Sequence, residues 1–254
     1  MQEKNYMLKR VYKIENEPES SLFLFGARQI GKTTLLRERF PSAIFIDLLE
    51  TDILQRFSKR PNLLREMLQK EAPGTLVIID EIQQLPILLN EVHWLISNKQ
   101  IRFILSGSSA RKLKRNGTNT LGGRALPCTL YPLVSQEIND FDIVRACNNG
   151  MLPIFYLSNN PKRLMQAYID IYLKEEIKAE ALVRNLASFN KFLEIAAQTS
   201  GEIVNYTNIA SDCGISSNTV KEYFSILQDT LIGDSFIYRE RQKKMFTKSK
   251  VLLF

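Results

Sequence analysis

One histidine, one tryptophan and three cysteines in 254 residues leave several kinds of chemistry without material. His93 stands beside Trp94 in an apolar helical stretch and reads as a packed or half-exposed side chain; alone, it offers neither a histidine metal site nor a Ser–His triad. Cys128, Cys147 and Cys213 lie far apart, no pair has metal-ligand spacing, and any disulfide would leave one over. They read as reduced thiols, which points to the cytoplasm. No apolar run reaches the roughly 18 residues that cross a bilayer. The start, Met1-Gln2-Glu3-Lys4-Asn5, lacks the apolar core of a signal peptide. The expectation is a soluble protein with no membrane partner.

What is present is an ordinary globular composition with a basic lean. Hydrophobic residues make up 44% and charged residues 24%, enough for a sizeable core. With 34 basic against 27 acidic side chains the net charge is +7, which suits an anionic partner such as nucleotide or nucleic acid.

The lead-in up to Glu19 is charged and amphipathic, with Met7, Val11 and Ile14 at helical spacing. Short apolar runs follow at Leu22–Phe25, Ala43–Ile46, Leu76–Ile79, Phe103–Leu105 and Ala125–Leu130, as strands buried on both faces are. Helix-like stretches at Thr33–Phe40, Pro61–Lys70 and Pro86–Ser97 alternate with them. That alternation predicts an α/β fold: a parallel sheet with helices on both faces. After Tyr131-Pro132 the pattern turns helical, with apolar stripes Leu164/Tyr168/Ile171/Tyr172 and Phe189/Phe192/Leu193/Ala196. Asn148-Asn149-Gly150 and Ser158-Asn159-Asn160-Pro161 read as loops. The expected division is a first domain over 1–145 and a mostly helical second domain over 146–254.

Gly26-Ala27-Arg28-Gln29-Ile30-Gly31-Lys32-Thr33 matches G-x-x-x-x-G-K-[ST], between a predicted strand and a predicted helix. The pattern arises by chance in roughly one chain of this length in a hundred. The two glycines let the backbone curl until successive N–H groups face phosphate oxygens, and the helix that follows adds its positive end. Lys32 reaches the β- and γ-phosphates, Thr33 ligates Mg²⁺, and Thr34 is expected near the α-phosphate.

Leu76–Ile79 runs into Asp80-Glu81. Two carboxylates at the end of an apolar strand are costly without a cation. Asp80 is assigned to Mg²⁺ through its water shell, and Glu81 to the water that attacks the γ-phosphate. The next apolar run exits into Ser106-Gly107-Ser108-Ser109; Ser106 is the candidate γ-phosphate sensor, Ser108 the runner-up, and a plain turn the alternative. Guanine recognition fails at Asn98-Lys99-Gln100-Ile101, which lacks the carboxylate it needs, so ATP is favoured over GTP.

G-A-R-Q-I-G-K-T-T, L-V-I-I-D-E-I-Q, I-L-S-G-S-S and L-G-G-R-A, in this order, resemble one family of AAA+ ATPases whose P-loop domain is joined to a C-terminal domain of unknown function. Tyr168–Leu173 resembles that family's helix after the ATPase, and Ile209–Ser216 with Thr219, Val220, Tyr223 and Leu227 resembles its winged-helix portion. The resemblance covers nearly the whole chain. It implies that Arg124 serves as an arginine finger, in its own subunit or for a neighbour, with a surface ion pair as the alternative. It marks Arg28 as characteristic without giving it a task. Relatives usually continue past the point where this sequence stops, so a further C-terminal region is expected beyond Lys250-Val251-Leu252-Leu253-Phe254.

Tyr206–Leu231 carries helix-turn-helix signals: Thr207 to cap the first helix, Gly214 for the turn, Ser216 to cap the second. Val220, Phe224 and Leu227 would face inward, leaving Asn218, Thr219, Lys221 and Glu222 outward. A wing could follow in Phe236–Lys248, where Arg239, Arg241, Lys243 and Lys244 could meet phosphates, as could Arg111, Lys112, Lys114 and Arg115 in the loop at 110–115. DNA, a protein partner and a second copy of the chain stay open as partners. Two functions are carried forward: an ATP-hydrolysing AAA+ switch or motor, and a nucleotide-gated binding module or DNA-associated regulator with negligible turnover.

Overall fold

The computed structural model describes residues 8–14, 20–108, 121–173, 186–238 and 248–253. The chain divides into two compact units, residues 1–156 and 157–254.

The first unit is built on five strands: β1 (Ser21–Phe25), β2 (Ile44–Asp47), β3 (Leu76–Asp80), β4 (Arg102–Gly107) and β5 (Ala125–Thr129). Every pairing is parallel, and the order across the sheet is β2-β3-β4-β1-β5. β1, β3 and β4 are the inner strands and are almost wholly buried, which is why they read as unbroken apolar runs. Pro127 cannot donate to a ladder, and it is tolerated in β5 because that strand lies at the sheet edge and pairs with β1 alone. Helices α1 (Lys32–Arg39), α2 (Thr51–Lys59), α3 (Leu63–Met67) and α4 (Leu88–Lys99) connect the strands. Phe57, Leu64, Leu68, Leu88, Val92 and Leu95 pack with Val77, Ile79, Phe103 and Leu105 in one apolar core.

Helix α2 was not among the expected ones, although Ile53, Leu54 and Phe57 supply its inward face. Past β5, α5 (Ile143–Asn149) and α6 (Pro153–Tyr156) belong to the first unit. Leu133, Ile138 and Tyr156 cluster there with Leu8, Phe141, Ala146 and Met151, and the expected division at 145/146 falls inside that cluster. Asn148 and Asn149, expected in a loop, form the end of α5, which closes on Gly150.

In the second unit, α7 (Pro161–Ala167) runs into a π-helical segment, Tyr168–Leu173. Of the first stripe, Leu164 does not enter a core: among the described residues α7 buries nothing, and Leu164 stays 37% exposed, while the side chains of Ile171 and Tyr172 lie outside the described ones. The second stripe enters one. On α8 (Leu186–Gln198), Phe189, Phe192 and Ala196 are fully buried against α9 (Tyr206–Cys213) and α10 (Ser217–Asp229). Edge-on ring contacts of 4.9 Å join Phe189 to Tyr223 and Phe192 to Phe224. Between α9 and α10, Gly214 takes the left-handed conformation (φ 69°) that a tight helix exit requires. Ser216 caps α10 through the Thr219 amide, as expected. The cap of α9 is a correction: Asn205, not Thr207, accepts the Thr207 and Asn208 amides at 3.1 and 3.2 Å. The helix begins at Tyr206, whose ring reaches Phe224, so the capping position falls one residue earlier. An antiparallel pair follows, β6 (Gly233–Tyr238) with β7 (Lys248–Leu253).

Candidate functional site

The strand order decides what meets. β4 lies between β1 and β3, so the loop leaving β1, the carboxylates ending β3 and the serines ending β4 open at one end of the sheet. The Gly26 amide donates to the Gly107 carbonyl at 3.2 Å, tying the start of the loop to the end of β4.

The loop's two glycines are required for different reasons. A Cβ on Gly26 would lie 2.9 Å from the Leu130 carbonyl and 3.1 Å from Ile30 Cγ2, so there is no room for one. Around Gly31 there is room, but its φ of 91° is a left-handed value. Gln29 also has a positive φ, 62°, and its side chain points to solvent. Gly31 ends the loop as the N-cap of α1. Lys32 is buried and folds back over the loop, donating through Nζ to the carbonyls of Gly26 (2.9 Å) and Ala27 (3.2 Å). Ala27 and Ile30 are buried, Arg28 half-buried and Thr34 exposed.

Across from Lys32, Thr33 donates its hydroxyl to Asp80 Oδ2 at 2.5 Å. Asp80 is 1% exposed, and its Oδ1 accepts from the Glu81 amide (3.1 Å) and the Ser106 hydroxyl. Three neutral donors thus serve a buried carboxylate. Glu81 turns into the left-handed region (φ 58°, ψ 43°), which swings its side chain away from the strand line. Burial pushes its pKa above the ordinary 4.5; Asp80 adds to the rise, while Lys32, Arg28 and the bond from Gln83 oppose it.

Gln83, the last residue of D-E-I-Q, carries no role in the sequence motif. Its Nε2 donates to Glu81 Oε2 and, at 3.1 Å, to the Ser108 hydroxyl. It is 7% exposed and links the end of β3 to the exit of β4. Ser106 therefore touches Asp80, whereas Ser108 reaches Glu81 through Gln83. A polar residue two places after the acidic pair was the available signal.

One candidate does not join this group. Arg124 is exposed and precedes Ala125, which pairs with Ser21 at the beginning of β1, while the phosphate loop leaves β1 after Phe25. At about 3.3 Å per residue, the strand holds the two roughly 13 Å apart. That is farther than an arginine side chain reaches, so Arg124 is not brought to the phosphate loop of its own subunit. Ser109 and the basic loop at 110–115 lie outside the described residues, as do Met7 and Arg239, Arg241, Lys243 and Lys244. Asn98 and Lys99 end α4 at the opposite end of the sheet, bonded to the Trp94 and Gln69 carbonyls.

A parallel sheet in this order, with a phosphate loop at one inner strand and an acidic pair two strands away, is the fold of a P-loop NTPase domain. Comparison with known proteins agrees: residues 18–139 match the family model of an AAA domain, and residues 141–254 match a domain of unknown function, DUF8612. The chain thus matches an AAA domain model over its first half and the DUF8612 model over its second. The uncharacterized protein MJ1637 of Methanocaldococcus jannaschii is 27% identical over 196 residues, covering 65% of this chain and 37% of that protein, so this chain spans well under half of its relative. Among solved structures, the Aeropyrum pernix ORC1 protein in complex with DNA is similar at 13% identity and a TM-score of 0.38, covering 94% of this chain and 84% of that one.

Proposed function

We propose that this chain binds ATP·Mg²⁺ and hydrolyses it, as a cytoplasmic AAA+ switch or motor whose nucleotide state changes how its helical second half engages a partner. The observation that carries this reading is the Thr33–Asp80 hydrogen bond, with Lys32, Glu81 and Ser106 around it. Gly26 to Thr34 cradle the phosphates through main-chain amides, with Lys32 leaving its loop carbonyls for the β- and γ-phosphates. The residues suit Mg²⁺: a hydroxyl and a carboxylate are hard oxygen donors, and Asp80 is buried among neutral donors that a cation would displace or supplement. Thr33 and Asp80 would hold the ion, which when bound offsets phosphate charge. Glu81 orients the attacking water, its carboxylate aimed by Gln83, and Ser106 senses the γ-phosphate. Arg124 serves the site of a neighbouring copy.

The test is turnover beside binding. Glu81→Gln should keep ATP affinity while phosphate release falls at least about a hundredfold. In wild type, ATP·Mg²⁺ at about 100 times Kd should stabilise by roughly 2.7 kcal/mol, and Lys32→Ala should abolish that gain. Undiminished turnover in Glu81→Gln would remove Glu81 from the mechanism.

A second reading draws on α9, α10 and the β6–β7 pair, two helices and a hairpin in the order of a winged helix. Asn218, Lys221 and Glu222 are exposed on α10 and Thr219 half-exposed. On this reading the chain is a nucleotide-gated module or DNA-associated regulator with negligible turnover. Firm ATP binding with no phosphate release, with or without duplex DNA, would favour it. Binding to DNA through phosphates would weaken steeply with salt.

A further inference from the structure

We propose that Arg10 is a positioning residue for the phosphate loop: its guanidinium, held by Glu137, fixes the peptide between Ile30 and Gly31 so that the Gly31 N–H faces bound phosphate. The inference rests on the ATP-binding reading above. Arg10 lies outside every motif of the sequence, yet its side chain is 8% exposed and that of Glu137 3%. Its Nε donates to Glu137 Oε1 at 3.0 Å, and one terminal nitrogen donates to the Ile30 carbonyl at 2.9 Å. The other donates to the Tyr131 carbonyl at 2.6 Å and the Pro132 carbonyl at 3.5 Å. Glu137 is fixed in turn, accepting from the amides of Val11 (2.6 Å) and Val134 (3.1 Å).

The consequence follows from peptide geometry. Ile30 sits between two left-handed residues, Gln29 (φ 62°) and Gly31 (φ 91°), in a backbone path the chain does not favour unaided. In a trans peptide the C=O and the next N–H point opposite ways. A carbonyl drawn outward to Arg10 therefore sends the Gly31 N–H inward, to the concave side over which Lys32 folds. A buried ion pair adds little stability beyond what apolar packing would give. What this one supplies is orientation: three nitrogens of a rigid planar group meet four oxygens on three segments, which a single ammonium cannot reproduce.

The full chain, Arg10→Lys and Glu137→Gln are compared by calorimetry with ATP·Mg²⁺ and by phosphate release at saturating ATP. Glu137→Gln is nearly isosteric: its one oxygen can still accept from the Val11 amide and Arg10 Nε, but its NH₂ then faces the Val134 amide, so the melting temperature of each variant is recorded beside its Kd. The expected result is a Kd raised at least about tenfold in both variants. The rate at saturation should stay within about twofold, the pattern of uniform binding lost. A lower melting temperature with unchanged Kd would make the pair merely structural and overturn the inference. Absence of nucleotide uptake by the wild-type chain would instead bring down the ATP-binding reading itself.

Discussion

At the residue scale, Glu81 exchanges stability for a charge in the right place. Its pKa is raised chiefly by burial, so above the ordinary 4.5 the folded chain holds this proton more tightly than the unfolded chain does. Stability then falls as pH rises through the window from 4.5 to the folded value, because the carboxylate is ionised in place at a cost. Glu81→Gln should therefore melt higher than wild type at neutral pH, with the difference fading as the pH falls below about 4.5. Thermal melts across that range check it, and a variant that is no more stable at neutral pH would contradict the sign. Gln83 opposes the rise, which makes its donor testable from a neighbouring strand. A Cβ on Gly107 would collide with Gln83 Oε1, so Gly107→Ala displaces the far end of that side chain from Glu81. ATP affinity should hold while turnover drops about tenfold, since a misplaced base costs rate before binding. Without the Gln83 bond the acid limb of the rate profile should also move to higher pH. Full turnover in Gly107→Ala would leave Gln83 with no part in aiming Glu81.

At the scale of elements, the caps of the helical unit give a clean comparison. Asn205 holds two amides of α9, while Thr207 lies inside the helix. Asn205→Ala should cost roughly 1 kcal/mol and speed amide exchange over residues 206–213 about fivefold, with Thr207→Ala close to silent. Equal effects would return the cap to Thr207. This pair also illustrates what a sequence can and cannot disclose. Any of several polar residues can cap a helix, and the choice was made by Tyr206 reaching Phe224, a contact that spacing does not record. The inner strands were legible because burial on both faces forces an unbroken apolar run, and the phosphate loop because its chemistry forces residue types at fixed spacing. Arg10 and Glu137 are 127 positions apart and follow no period, so only folding reveals them as partners. The stripe through Leu164 marked an apolar face but not what covers it, and on α7 Leu164 itself stays exposed. Gln83 stood in plain view beside the acidic pair, but its partner Ser108 lies across a strand pairing.

For the whole molecule, the sheet register turns Arg124 from a residue of uncertain address into a question about assembly. It opens at the end of the sheet opposite the phosphate loop and is exposed there, so a finger role requires a second copy whose phosphate loop faces it. Such a head-to-tail contact is heterologous, as in closed rings. The assignment predicts complementation between two inactive variants. Arg124→Ala keeps its own Glu81 but gives its neighbour no guanidinium; Glu81→Gln cannot hydrolyse but still offers Arg124. Each alone should turn over at a small fraction of the wild-type rate. In an equal mixture allowed to exchange subunits, half the sites keep Glu81 and half of those face an intact Arg124, so turnover should recover to about a quarter of wild type. Phosphate release from the mixture measures this, with sedimentation confirming that mixed assemblies form. If mixed assemblies stay inactive, or if Arg124→Ala alone turns over normally, the guanidinium has no catalytic office in either subunit. Recovery would instead mean that each site is completed by its neighbour, and that ATP hydrolysis reports on assembly as well as on nucleotide.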